Sequence, residues 1–197
     1  MTATRRDEIL RAAAELFADR GFHAVGMRAI ADAVGIRGSS LYHHFPSKVE
    51  LLHAIAVEST KRFVEQALAD LGPSPSYSQR LFALLRDHVL YFHEYRLEEA
   101  VGLRELQELR NQAPEHYAEL QAIRRDYQSA VESLVVGGCE AGEFDCAEPH
   151  LATLALLGMI NSVNDWFRSD RQATIEHVAE TFASFAVHRV LGGQPEG

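Results

Sequence analysis

The polar side chains best placed to do chemistry crowd into one short stretch, Ile30-Ala-Asp-Ala-Val-Gly-Ile-Arg-Gly-Ser-Ser-Leu-Tyr-His-His-Phe45. Once Ile30, Val34, Ile36, Leu41 and Phe45 are given to a shared core, Arg37, Ser39, Ser40, Tyr42, His43 and His44 are left outward. Hydroxyls and imidazoles meet base edges or phosphates in a major groove, and a phenol can lie along the sugar-phosphate backbone. Gly35 supplies the positive φ of a tight turn, and Ala31 is small where a second helix must cross. The spacing predicts two short helices at a steep angle, the second of them facing DNA.

Other chemistries find little support. His93-Glu94 begins like a zinc-protease helix, but Leu97 stands where the second histidine is needed. The glycine patterns of nucleotide-binding loops are missing, as is a Gly-x-Ser-x-Gly elbow. No enzyme is expected, and no cofactor. The ten histidines include His88, His93, His116, His150, His177 and His188, which show no i, i+4 pair. They read as an accidental surface scatter, with metal ligands: none, unless distant helices bring two together. Cys139 and Cys146 make neither a staple framework nor a four-ligand zinc set, and read as reduced thiols of a cytoplasmic protein.

The elements that position these groups are helical from end to end. With 197 residues and 47% apolar composition, the chain suits one domain, or a small module fused to a larger one. The first residues lack the apolar run of a signal peptide, and Leu151–Ile160 is about half a membrane span, so a soluble protein without a membrane partner is expected. Charge divides unevenly: residues 1–50 carry a net +1 and residues 51–197 a net −10. Any nucleic-acid contact must therefore be local and near the N-terminus, since non-specific binding rests on phosphate neutralisation. Partial protonation of His23, His43 and His44 can add positive charge there.

Apolar periodicity and Gly/Pro punctuation predict helices over 4–20, Met27–Val34, from Gly38 to a break at Pro46, and from a Ser47/Glu50 capping box to Leu71. Gly21 is expected as a left-handed cap. After Gly72-Pro-Ser-Pro-Ser76 come helices near 77–94, 96–111, 114–141, 148–168 and 173–191. The last two have excess apolar surface: Leu151, Leu154, Leu157 and Ile160 in one, Phe182, Phe185 and Val190 in the other. Helices greasy on most sides need cover, which implies a homodimer.

Arg28-Ala-Ile-Ala-Asp-Ala-Val-Gly-Ile-Arg-Gly-Ser-Ser-Leu-Tyr-His-His-Phe-Pro-Ser-Lys48 resembles the signature of TetR-type transcriptional repressors, over about residues 5 to 55. The resemblance implies an all-α fold with a three-helix DNA head on 1–46, followed on 47–197 by a helical bundle for effector binding and dimerisation. It implies a palindromic double-stranded DNA operator as partner. By position, Arg28 matches an exposed base or phosphate contact, Gly38, Ser39 and Ser40 the tip of the recognition helix, Tyr42 and His43 its phosphate and groove contacts, and Lys48 a backbone-binding lysine. Arg37 is added from its exposure, and Arg5 and Arg6 suit a minor-groove arm. The family usually opens its second helix at a threonine; Gly26 stands there.

Gly142-Glu-Phe144, Leu156-Leu-Gly-Met-Ile-Asn161 and Trp166-Phe-Arg168 resemble the TetR subgroup that senses acyl-CoA in fatty-acid or sterol breakdown, although Phe167-Arg-Ser-Asp170 departs from its pattern. The effector expectation is a hydrophobic small molecule, an acyl-CoA, among Phe82, Val89, Leu106, Arg124, Tyr127, Met159, Asn161 and Trp166. Arg104, Arg110, Arg125 and Arg168 are further cations for CoA phosphates. Asn161, amid apolar neighbours, is expected to be buried and to bond a ligand or a second subunit. A free hydrophobic acid, or a lipophilic cation held by Glu94, Glu98 or Glu105, is an alternative. So are a lipid carrier and a protein-interaction module.

Overall fold

The computed structural model describes residues 4–69, 76–168 and 173–193. Its regular elements are all helical: α1 Arg5–Arg20, α2 Met27–Val34, α3 Gly38–His44, α4 Lys48–His53, a π-helical turn Ala54–Glu58, α5 Ser59–Ala69, α6 Tyr77–Glu94, α7 Arg96–Arg104, α8 Leu106–Gln112, α9 Pro114–Glu140, α10 Pro149–Asn161, α11 Val163–Trp166, α12 Ile175–Phe185 and a second π turn Ala186–Val190. Among the described residues no helix is long and apolar enough to cross a membrane. The expected helix end at Leu71, the loop 72–75 and the motif departure at Ser169-Asp170 lie outside the described residues.

The chain packs as two compact units, Met1–Arg62 with Tyr95–Ala122, and Phe63–Glu94 with Ile123–Gly197. Packing thus does not break at residue 46. Three short helices bury too little apolar surface to hold together alone. In the first unit α7 packs on α1 and on the first π turn, and α8 packs on α4. The resulting core runs from Ile9, Phe17, Ile30 and Leu41 through Leu51 and Ile55 to Val101, Leu109 and Leu120. In the second unit α12 lies along α6, and Leu81, Leu85, Val89, Val131, Leu156, Ile160, Ala183 and Val187 are buried together.

Three expected helices are interrupted. The 96–111 helix breaks at Glu105, whose backbone leaves the helical region (φ −98°, ψ 15°) and whose carboxylate accepts from Phe22 N–H at 3.4 Å and Arg104 Nε–H at 3.1 Å. The 148–168 helix breaks at Ser162, whose hydroxyl donates to Met159 O at 2.7 Å. In the Ser47–Leu71 helix the π turn is followed by Thr60, whose hydroxyl donates back to Ala56 O at 2.8 Å. Such back-bonding and widened turns bend a helix. Gly21 has the positive φ expected (83°), but its ψ of 152° is not left-handed helical.

Candidate functional site

The helix-turn-helix is built by local rules. Gly35 closes α2 in the left-handed region (φ 70°, ψ 33°), and Ile36 N–H returns to Ala31 O at 3.0 Å. This swings the chain into α3, which sinks Leu41 and then Phe45 into the core. Val34 and Ile36 are only half-buried. The face left outside carries Arg28, Arg37, Gly38, Ser39, Ser40, Tyr42 (54% exposed), His43 and His44. Among the described residues Arg28, Arg37, Ser39, Ser40 and Tyr42 have no side-chain hydrogen bond or ion pair. A Cβ built on Gly26 or Gly38 meets no atom within 4 Å, so intramolecular packing does not explain either glycine. Gly26 caps α2 with no side-chain bond.

Two expected DNA-binding cations are engaged inside the unit instead. Lys48 Nζ donates to Phe22 O at 2.8 Å and Val25 O at 3.0 Å, and lies 4.3 Å over the Phe22 ring. It ties the α1–α2 loop to α4, leaving one N–H for anything else. Arg6 is no arm: it forms a bidentate pair with Glu58 at 2.5 and 2.6 Å and stacks over Phe45. Arg5 opens α1 and pairs with Glu8. Glu50, read as half of a capping box, takes part only through its backbone N–H, which donates to Ser47 Oγ at 3.1 Å; its carboxylate meets His116 and His53.

In the second unit a polar group forms that the sequence did not disclose. His88, expected on the surface, is 3% exposed. Its Nε2–H donates to Asn161 Oδ1 at 3.0 Å, and its Nδ1 accepts the Tyr127 hydroxyl at 2.9 Å. Phe92 stacks on the imidazole at 4.3 Å and Phe63 meets it edge-on at 5.0 Å. Burial holds the ring's pKa down to about 4, so it is neutral at pH 7, and burial pushes the Tyr127 phenol upward. Asn161 is exposed rather than buried, and its oxygen finds its partner on α6 of the same chain.

The other expected effector residues divide. Val89 and Tyr127 are core; Phe82 and Met159 are half-buried against it. Arg124 is half-buried. Trp166 is 40% exposed, with its ring 5.6 Å from that of Phe182. Leu106 belongs to the first unit, whereas the remaining seven belong to the second. Arg104 is spent within the first unit, its guanidinium donating to Phe17 O and Ala18 O at the end of α1. Arg168 donates to Phe167 O at 2.8 Å, and Arg110 lies over the Tyr117 ring.

Residues 9–55 match the family model for bacterial regulatory proteins of the tetR family, and residues 74–190 match that for the tetracyclin repressor-like C-terminal domain. The transcriptional activator FasR of Mycolicibacterium smegmatis is 29% identical over 192 residues, covering 92% of this chain and 81% of that protein. The transcriptional repressor KstR2 of the same species is 53% identical over 53 residues, 27% of this chain and 26% of that protein. Among solved structures, PfmR from Thermus thermophilus superposes with a TM-score of 0.82 at 29% identity, over 95% of this chain and 99% of that one. AibR in complex with isovaleryl coenzyme A and operator DNA gives 0.78 at 27% identity, over 93% and 98%.

Proposed function

The chain belongs to the TetR family and is a transcriptional regulator, and from that premise we propose that it is a homodimeric repressor of the cytoplasm, released from a palindromic operator by an acyl-CoA. The carrying observation is the α2–α3 face: exposed polar side chains, five of them with no side-chain hydrogen bond or ion pair among the described residues, beside two glycines that packing does not require. Arg28, Gly38, Ser39, Ser40 and His43 then face bases, while Arg37 and Tyr42 hold phosphates and Lys48 supports them through its remaining N–H. The functional division is a DNA head on 1–46 and an effector and dimerisation body on 47–197.

Support for the dimer comes from Leu151, Leu154, Phe185 and Val190, large apolar residues exposed on α10, on α12 and in the second π turn. Support for the effector comes from the Leu156–Asn161 resemblance and from the isovaleryl coenzyme A bound by AibR. The acyl part lies among Phe82, Val89, Tyr127, Met159, Asn161 and Trp166 of the second unit, and Arg124 and Arg125 of the same unit serve the phosphates. His88, neutral at pH 7 and with both ring nitrogens bonded to Tyr127 and Asn161, orients those two side chains and adds no charge.

Operator DNA selected from a random pool, read by fluorescence anisotropy, tests the first half. Arg28→Ala and Ser39→Ala should weaken binding and relax base preference by about 1–3 kcal/mol at their positions; unchanged affinity in both overturns the assignment. Titrating the complex with an acyl-CoA, its free acid and a lipophilic cation tests the second. Release by the acid or the cation at lower concentration than by the thioester rejects the CoA reading.

A further inference from the structure

We propose that Glu50, His53 and His116 form a binding site for a divalent first-row transition-metal ion, with Glu119 as the outer carboxylate that orients His53. The chain carries two motifs of opposite polarity, Glu50-Leu-Leu-His53 on α4 and His116-Tyr-Ala-Glu119 on α9. Spacing of three residues puts both members of each motif on one helical face. In the first unit the two faces meet. Glu50 Oε1 lies 3.0 Å from His116 Nε2, Glu50 Oε2 lies 3.9 Å from His53 Nδ1, and one donor atom from each of the three residues falls within 4.8 Å of the others.

Two features favour an ion over a pair of ordinary hydrogen bonds. First, Glu119 Oε2 sits 3.1 Å from His53 Nε2. A carboxylate there keeps the proton on Nε2 and leaves Nδ1 as a lone pair turned toward Glu50, the arrangement that carboxylate–histidine–metal sites use. Second, among the described residues the ion pairs that both carboxylates make within 4.0 Å go to histidines, not to Lys or Arg. Two histidines and one carboxylate make the three-ligand set of zinc sites that keep a position open, and borderline first-row ions prefer it to Ca2+ or Mg2+. The imidazoles stack at 3.6 Å and 14° from parallel. A shared ion lies in the plane of both rings, so binding must tilt them apart, with donor shifts on the order of 1 Å to reach bonds of about 2.1 Å. The histidine side chains are 17% and 19% exposed and Glu50 is 38% exposed, which leaves an entry path. A bound ion would tie α4, directly after the recognition helix, to the start of α9.

The test uses tag-free full-length protein stripped with chelator, then titrated with Zn2+ by calorimetry and with Co2+ by its visible absorption. One ion per chain is expected, with an upward shift of the melting temperature. His116→Ala should weaken Zn2+ binding at least about 100-fold, and Glu119→Gln about 10-fold, the scale of an outer-shell loss. Glu50→Gln keeps the shape and a hydrogen bond to His116 and should also lose the ion, so a folding defect in His116→Ala leaves the question decidable. His150→Ala removes a different exposed His–Glu pair, 3.2 Å from Glu132, and should leave binding unchanged. Absence of saturable binding, or binding that survives both Glu50→Gln and His116→Ala, overturns the site. Neither readout involves DNA, so the result stands apart from the operator assignment.

Discussion

Replacing His88 with glutamine should remove a defined part of the acid sensitivity of this protein. In the folded chain the ring is buried and its pKa is held down to about 4, against an ordinary value of 6.5. The unfolded state therefore binds the extra proton first, and stability is complete above pH 6.5 and falls as the pH drops toward 4. Each tenfold difference in proton affinity is worth about 1.4 kcal/mol, so the full loss is roughly 3 kcal/mol at pH 4, with about 2 kcal/mol already gone at pH 5. Glutamine cannot take up that proton, yet its amide can still accept from Tyr127 and donate to Asn161. The variant should start less stable at pH 7.5, by about 1–2 kcal/mol, having lost the Phe92 stack and some hydrogen-bond geometry. Urea unfolding followed by circular dichroism at fixed protein concentration and ionic strength, from pH 7.5 to 5, measures both chains. Other groups titrate in both and cancel in the difference. The gap between wild type and variant should close by about 2 kcal/mol across this range. Parallel pH profiles would refute the buried neutral ring, as would a His88 resonance titrating near 6.5.

Lys48→Met keeps the aliphatic stem but removes two charge-assisted bonds to Phe22 O and Val25 O. It should destabilise the protein by about 3 kcal/mol, measured by urea unfolding; intact stability with only a one-ion drop in the salt slope of operator binding would show Lys48 to be a free phosphate contact. Phe185→Glu puts a charge on a side chain 51% exposed in the single chain, and under the dimer proposal should yield monomers in sedimentation; a wild-type monomer at micromolar concentration would remove that interface. Gly138→Ala drives a Cβ to 2.2 Å from the Phe144 ring, buried at 5% exposure, and should lower stability by about 1–3 kcal/mol on overpacking grounds; an unchanged denaturation midpoint counts against the packing described.

The helix-turn-helix was legible because its information is local. Gly35 marks the turn, Ile30, Leu41 and Phe45 mark the buried side, and what remains outward follows from helical period alone. The all-helical class was legible for the same reason, since no alternation competes with the 3.6 period. The helix breaks at Glu105 and Ser162 were not, because each depends on side-chain bonds that outweigh a modest continuation preference. What the sequence left unseen has one cause. Arg6, Lys48 and Arg104 hold partners within the chain and His88 is buried, and sequence gives the charge of a side chain but not the carbonyl, carboxylate or ring that folding sets opposite it.

Lys48 is held by carbonyls 23 and 26 residues away, Arg104 reaches back 86 residues or more, and Asn161 lies 73 residues from His88. Desolvation and hydrogen-bond strength depend on these distant neighbours, and no local spacing encodes them. Glu50-Leu-Leu-His53 and His116-Tyr-Ala-Glu119 are the sharpest instance. The sequence alone determined that each carries a carboxylate and an imidazole on one helical face; only the tertiary structure decided that the two faces meet, because the helices that bear them are brought together by apolar packing elsewhere in the unit.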